Sequence, residues 1–157
     1  MGAELPAPRL RHVFRIDASL GDPIDLGPGP DGRQRIVPIA GGRVEGDALS
    51  GEVLPGGSAD WQTVHPDGSS EGEIRMTLAT PAGATVTLAA RGLRHGPAEV
   101  LERLGRGEPA GADEYTFRAW VNLSSSAPEL AWLGRGIFIA VGGRQPAGVA
   151  YDVYLVE

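Results

Sequence analysis

The 157 residues fit one domain and carry 20 acidic against 14 basic side chains, a formal net charge of −6. Cysteine is absent and every basic residue is arginine, which excludes disulfides, thiolate metal sites, cysteine nucleophiles, lysine Schiff bases and a P-loop lysine. The acidic balance argues against nucleic acid as a partner, and no apolar run approaches the roughly 20 residues that cross a membrane as a helix.

Met1 to Pro8 reads as a frayed tail. Nothing up to Arg11 forms the apolar core of a signal peptide, so a cytoplasmic chain is expected. Leu10, His12, Phe14, Ile16 and Ala18 then alternate with Arg11, Val13, Arg15 and Asp17, the pattern of a half-buried strand. Gly21 to Gly32 is rich in Gly and Pro and predicts a long loop. Its Gly27 to Gly32 spells G-x-G-x-x-G, but two prolines remove the N–H donors a phosphate loop needs, and no helical pattern follows. Arg33 to Ala40 predicts a second strand, with Pro38 marking an edge or bulge and Gly41-Gly42 a bend. Arg43 to Leu54 extends again, and Pro55-Gly56-Gly57 breaks it. Ala59 to His65 is followed by the turn Pro66-Asp67-Gly68.

Glu71 to Thr80 and Ala84 to Leu93 are strands joined at Pro81-Ala82-Gly83, with Ile74, Met76 and Leu78 on one face and Val86, Leu88 and Ala90 on another. At Pro97 the period changes. Residues 97–106 predict the only helix, with Val100, Leu101 and Leu104 as its apolar stripe and Gly105 and Gly107 ending it. Asp113 to Leu123 is a strand that sets Tyr115, Phe117, Ala119 and Val121 against Thr116, Arg118, Trp120 and Asn122. Glu129 to Leu133, Gly136 to Gly142 and Gly148 to Val156 complete the strands. Several strands are apolar on both faces, which closure explains. The expected fold is all-β: a single antiparallel barrel over residues 1–157, of about nine or ten strands, with the helix plugging or flanking one end.

Asp60-Trp61-Gln62 carries the most chemistry. On a strand, Asp60 and Gln62 share one face and Trp61 takes the other. If the first face lines the barrel, Asp60 sits in a confined, poorly solvated pocket, gains a raised pKa and can move protons. The plainer alternative is that Asp60 and Gln62 tie down a turn while Trp61 fills core. Arg118, set on an inward face, would anchor an anionic ligand or pair with Asp60 or another acid, and Arg91 is a weaker case of the same kind. His12, His65 and His95 are isolated, so no metal site is expected. No cofactor motif is found either.

Six motifs in order carry a family resemblance: Ile36-Val37-Pro38-Ile39-Ala40-Gly41-Gly42, Gly51-Glu52-Val53-Leu54-Pro55-Gly56-Gly57, Asp60-Trp61-Gln62, Arg91-Gly92-Leu93-Arg94-His95-Gly96-Pro97, Tyr115-Thr116-Phe117-Arg118 and Trp132-Leu133-Gly134-Arg135. From about Leu10 to Val156 the chain resembles the domain of unknown function 3237 family, also called uncharacterised protein family 0311. The resemblance implies a small antiparallel β-barrel of bacterial and fungal occurrence and no established activity. Its pattern often has Tyr at the positions of Met76 and Thr116, and Asn at those of Ala90 and Gly134. These departures suggest a barrel pocket recast for a bulkier or more apolar ligand.

The leading expectation is a cofactor-independent enzyme with proton-transfer chemistry: isomerisation, dehydration, cyclisation or lyase cleavage of a partly aromatic or polyketide-like molecule. Asp60 is its acid or base and Arg118 holds the developing oxyanion. Gln62 orients, and Trp61, Met76, Arg91, Thr116 and Trp132 contact the substrate. The alternatives are a lipocalin-like binding protein for a small hydrophobic or aromatic ligand and a structural homodimer with no pocket.

Overall fold

A computed structural model describes residues 2–157, so Met1, the first residue of the expected tail, lies outside it. Strands β1 (Leu10–Leu20), β2 (Ile24–Pro28), β3 (Arg33–Glu45), β4 (Gly51–Val64), β5 (Ser70–Ala79) and β6 (Thr85–His95) come first. Helix α1 (Ala98–Gly105) precedes β7 (Thr116–Ser124), β8 (Phe138–Gln145) and β9 (Gly148–Val156). Neighbours pair antiparallel in the order β1-β9-β8-β7-β6-β5-β4-β3-β2, and a further pairing of β1 with β3 closes eight of the nine strands into a barrel. Close contact at this seam needs glycine: a Cβ on Gly42 would overlap the Asp17 carbonyl. The register of β3 on β4 shifts between Pro38 and Gly42, the bulge that Pro38 announces.

β2 lies within the segment expected to be a loop. It continues along β3 where β1 leaves, pairing Ile24 with Ile36 and Asp25 with Arg35. As the outermost strand it tolerates Gly27 and Pro28, because its free edge needs no N–H donors. Asp25 accepts a 2.9 Å hydrogen bond from the Gly27 N–H at a bulge, and the Gly29 N–H reaches the Gly32 carbonyl at 2.7 Å. The G-x-G-x-x-G string is therefore a hairpin.

The apolar sides of the strands face inward. Ile74, Met76, Leu78, Val86, Leu88, Val121, Phe138 and Val153 are buried, and full burial of each such large side chain contributes about 1.5–3 kcal/mol. They fill the barrel. A void of about 10 Å³ among Ile16, Met76, Leu88, Ala90 and Tyr151 is too small for an organic ligand.

Two helical segments cover the ends. Val100, Leu101 and Leu104 of α1 are buried, and a Cβ on Gly68 in the β4–β5 turn would stand 3.3 Å from the Leu101 side chain. The other end carries a 3₁₀ helix, Pro128–Arg135, in place of the strand expected at Glu129 to Leu133. Pro128 opens it, and Leu130 and Leu133, three residues apart, align on one side of such a helix and join the core. Alternation over so short a segment does not separate the two conformations.

Candidate functional site

At the α1 end the inward-facing rows change from apolar to polar. β3 places Arg35 beyond Val37, β4 presents Asp60 and Gln62, β5 ends in Gly72 and Ser70, β6 in Gly92 and Arg94, and β8 in Gly142 and Arg144. Period-two alternation carries each side chain to this end.

Asp60 is the centre of this layer and only 7% exposed. Its Oδ2 accepts a hydrogen bond from Gln62 Nε2 at 2.6 Å, and Gln62 Oε1 accepts one from Arg35 Nε at 2.7 Å. Oδ1 has no partner. Arg94 is 8% exposed, and its Nε–H is also unpartnered. These two residues line a cavity of about 20 Å³ with Gln62, Ser70, Gly72 and Phe117, room for about one water molecule.

Glycine builds this space. A Cβ on Gly72 would overlap Asp60 Oδ1, and one on Gly142 would come within 2.9 Å of the Phe117 ring. Phe117 in turn packs edge-to-face on Tyr151, with centroids 5.6 Å apart. The Tyr115 hydroxyl accepts the Arg144 backbone N–H at 2.8 Å, tying the start of β7 to β8.

Burial pushes the Asp60 carboxyl above its ordinary value; the Gln62 hydrogen bond and the charges of Arg35 and Arg94 offset this only in part. Burial lowers Arg94, and repulsion from Arg35 and Arg144 adds to it. Arg35 is lowered by its own burial and then by Arg144. Burial, followed by the charge of Asp60, raises the Tyr151 phenol. The layer thus sets Arg35 and Arg94 beside one carboxyl that resists ionisation, with Arg144 close to both arginines.

A groove of about 390 Å³ passes the same wall and is lined by Leu26, Gln34, Trp61, Glu73 and Arg91. It shares Gln62 and Gly72 with the Asp60 cavity. Trp61 is 55% exposed, so it does not fill core.

Of the residues singled out from the sequence, Asp60 and Gln62 come together as expected, with Trp61 on the opposite face of β4. Arg91 points outward, where its Nη2 meets Glu71 Oε2 at 2.6 Å and its guanidinium lies 5.4 Å from the Trp120 ring centroid. Arg118 does not face inward. The dry side of β7 takes Phe117, Ala119 and Val121, which leaves Arg118 exposed with Nη1 donating to the Phe117 carbonyl at 2.9 Å. Thr116 shares that outward parity. Met76 is packed in the barrel core, and Trp132 lies at the opposite end, 6.1 Å from Phe138 between ring centroids. Arg35, Arg94 and Arg144 were not anticipated, although each continues an inward apolar row by two residues. Among the described residues no three His, Asp or Glu side chains cluster as metal ligands would.

A family model described as "Protein of unknown function (DUF3237)" matches residues 8–156. The UPF0311 protein RPA1785 of Rhodopseudomonas palustris is 36% identical over 151 residues, 96% of this chain and 98% of that one. Its crystal structure superposes with a TM-score of 0.91 at 35% identity, covering 98% of this chain and all of that one. A β-barrel-like protein of Acinetobacter baumannii AYE, 32% identical, gives a TM-score of 0.86 over 99% of this chain and 100% of that chain. A protein of Penicillium herquei described as an enzyme shares the fold with a TM-score of 0.73 over the whole of both chains, at 14% identity.

Proposed function

The chain belongs to the DUF3237 family, and we propose that it is a proton-transfer enzyme in which Asp60 is the acid or base. One observation carries this reading: a buried carboxyl, raised by desolvation, with one oxygen free and turned to a small polar cavity. A raised carboxyl can both take and return a proton, which an ordinary surface aspartate does poorly near neutral pH. The Penicillium herquei enzyme supports the barrel as a scaffold for catalysis, while the activity argument rests on Asp60.

The cavity is too small for a substrate body, so only the reacting group enters it from the α1 end of the barrel, while the groove beside Trp61 lies on the outer face of the same wall. Gln62 belongs to both spaces and holds Asp60 through one hydrogen bond. Arg94 takes the role first given to Arg118 and faces the negative charge that develops when Asp60 removes a proton next to a carbonyl. Isomerisation, dehydration, cyclisation and lyase cleavage can each proceed through that step. The filled barrel argues against a lipocalin-like carrier, which needs a ligand-sized lumen, and against a barrel pocket recast for a bulkier ligand.

The test is hydrogen–deuterium exchange into a panel of enolisable aryl ketones in deuterium oxide, followed by proton NMR. The wild type should accelerate exchange above buffer in at least one ketone, and Asp60→Asn should lose about 10²–10⁴-fold of that acceleration. No acceleration across the panel, or equal acceleration by the variant, would remove Asp60 from the chemistry.

A further inference from the structure

We propose that the outer face of β4, β5, β6 and β7 is the contact surface between two copies of this chain, related by a two-fold axis that runs along the strands between β5 and β6. The sheet separates this face from Asp60, so the inference does not depend on the proton-transfer reading.

The registers of the barrel set one outward residue of each strand in a single row: Trp61, Glu73, Arg91 and Trp120. All four are exposed. Two of the chain's three tryptophans thus stand in water on one face, 55% and 49% exposed. Tryptophan and arginine are the side chains enriched at the centres of protein interfaces. Trp120 is also ordered before any contact forms. The Arg91 guanidinium lies 5.4 Å from its ring centroid, and Glu71 holds Arg91 through a 2.6 Å hydrogen bond. A side chain fixed in advance loses little freedom on binding.

The order of the row decides what fits it. From either end it runs tryptophan, charge, opposite charge, tryptophan. A half-turn about an axis between Glu73 and Arg91 therefore brings the acid of each copy over the guanidinium of the other. The same turn lays Trp120 of each copy against Trp61 of the other, where the groove of about 390 Å³ bordered by Leu26, Gln34 and Glu73 has room for an indole. In the flanking rows Glu71 comes opposite Leu93 and Arg75 opposite Ala89, so no like charges are set against each other. An axis across the strands through the row would instead place Glu73 on Glu73 and Arg91 on Arg91. The charge order selects the axis along the strands.

The size of the face is adequate. Four strands of at least nine residues span roughly 19 by 31 Å, about 600 Å² of sheet. A stable interface takes roughly 800 Å² from each partner, and the projecting indoles and the groove add to the area of the sheet. Trp61 and Trp120 stand on the outer two strands, where two convex barrels draw apart, so the largest side chains reach across the widest gap.

The experiment is sedimentation velocity of the whole chain from micromolar to submillimolar concentration. The wild type should sediment as a dimer. Trp120→Ser, Glu73→Arg and Arg91→Glu should each weaken self-association at least about tenfold. These positions are exposed, so the circular dichroism of each variant should match the wild type. An equal mixture of Glu73→Arg and Arg91→Glu should associate again, because both contacts across the axis then pair opposite charges, and that recovery shows both variants to be folded. A monomeric wild type, or a dimer that all three variants leave intact, overturns the proposal. A mixture that stays monomeric overturns the two-fold arrangement on which it rests.

Discussion

Replacing Asp60 with Asn should make the protein more stable relative to wild type as pH rises. The folded carboxyl titrates above 3.8, its value in the unfolded chain, because burial disfavours its charge. Below 3.8 both states hold the proton, and burial imposes no ionisation penalty. Above it the unfolded chain releases the proton first, so wild-type stability falls until the pH passes the folded value and then levels. The slope between these limits is about 1.4 kcal/mol per pH unit. At about 2–4 °C per kcal/mol for a domain of this size, the melting temperature of the variant should gain roughly 3–6 °C on the wild type per pH unit in that window. Asn keeps an oxygen to accept the Gln62 amide and the same volume, so any constant offset cancels in the comparison. The assay is calorimetry of both proteins across acid to neutral pH. Parallel curves would refute the argument, since they would mean that Asp60 ionises in the folded barrel as readily as in water.

Gly72→Ala should destabilise the fold by about 1–3 kcal/mol and displace the carboxyl of Asp60, because the new methyl occupies the place of Oδ1; a melting curve and a crystal structure check the two effects. Arg118→Ala should change stability by no more than about 0.5 kcal/mol and leave ketone exchange intact, since the side chain is exposed and faces away from the barrel. Phe138→Ala, at the opposite end of the barrel, should cost about 3–5 kcal/mol in denaturant unfolding, because the ring is fully buried against Trp132 and its neighbours.

Strands and lumen were legible in this sequence to different degrees, for a physical reason that the arginines expose. Runs such as Val86-Leu88-Ala90 declare a strand and its apolar face, and Val86 and Leu88 are buried and Ala90 half-buried on the inward side. Which face meets the lumen follows once closure is assumed, because a filled barrel is dry inside. That rule places Phe117 and Ala119 inward and so sends Arg118 to solvent; expecting Arg118 on an inward face gave greater weight to a possible ligand than to its apolar neighbours. The same count, continued past the point where side chains cease to be apolar, runs from Ala90 through Gly92 to Arg94, from Val37 back to Arg35 and from Ala140 through Gly142 to Arg144. Hydrophobic periodicity fades at a polar layer, although the backbone period that produces it continues. What no count along one strand supplies is convergence: Gln62 meets Arg35, 27 residues away in sequence, only because β3 and β4 pair in one register. The glycines were the remaining signal. Gly72, Gly92 and Gly142 occupy inward positions where an apolar residue would otherwise fill core, and the room they leave is taken by the Asp60 carboxyl and the Phe117 ring. Gly92 and Gly142, each followed two positions later by an arginine in the same inward row, mark the place where this barrel stops packing apolar side chains and its polar layer begins.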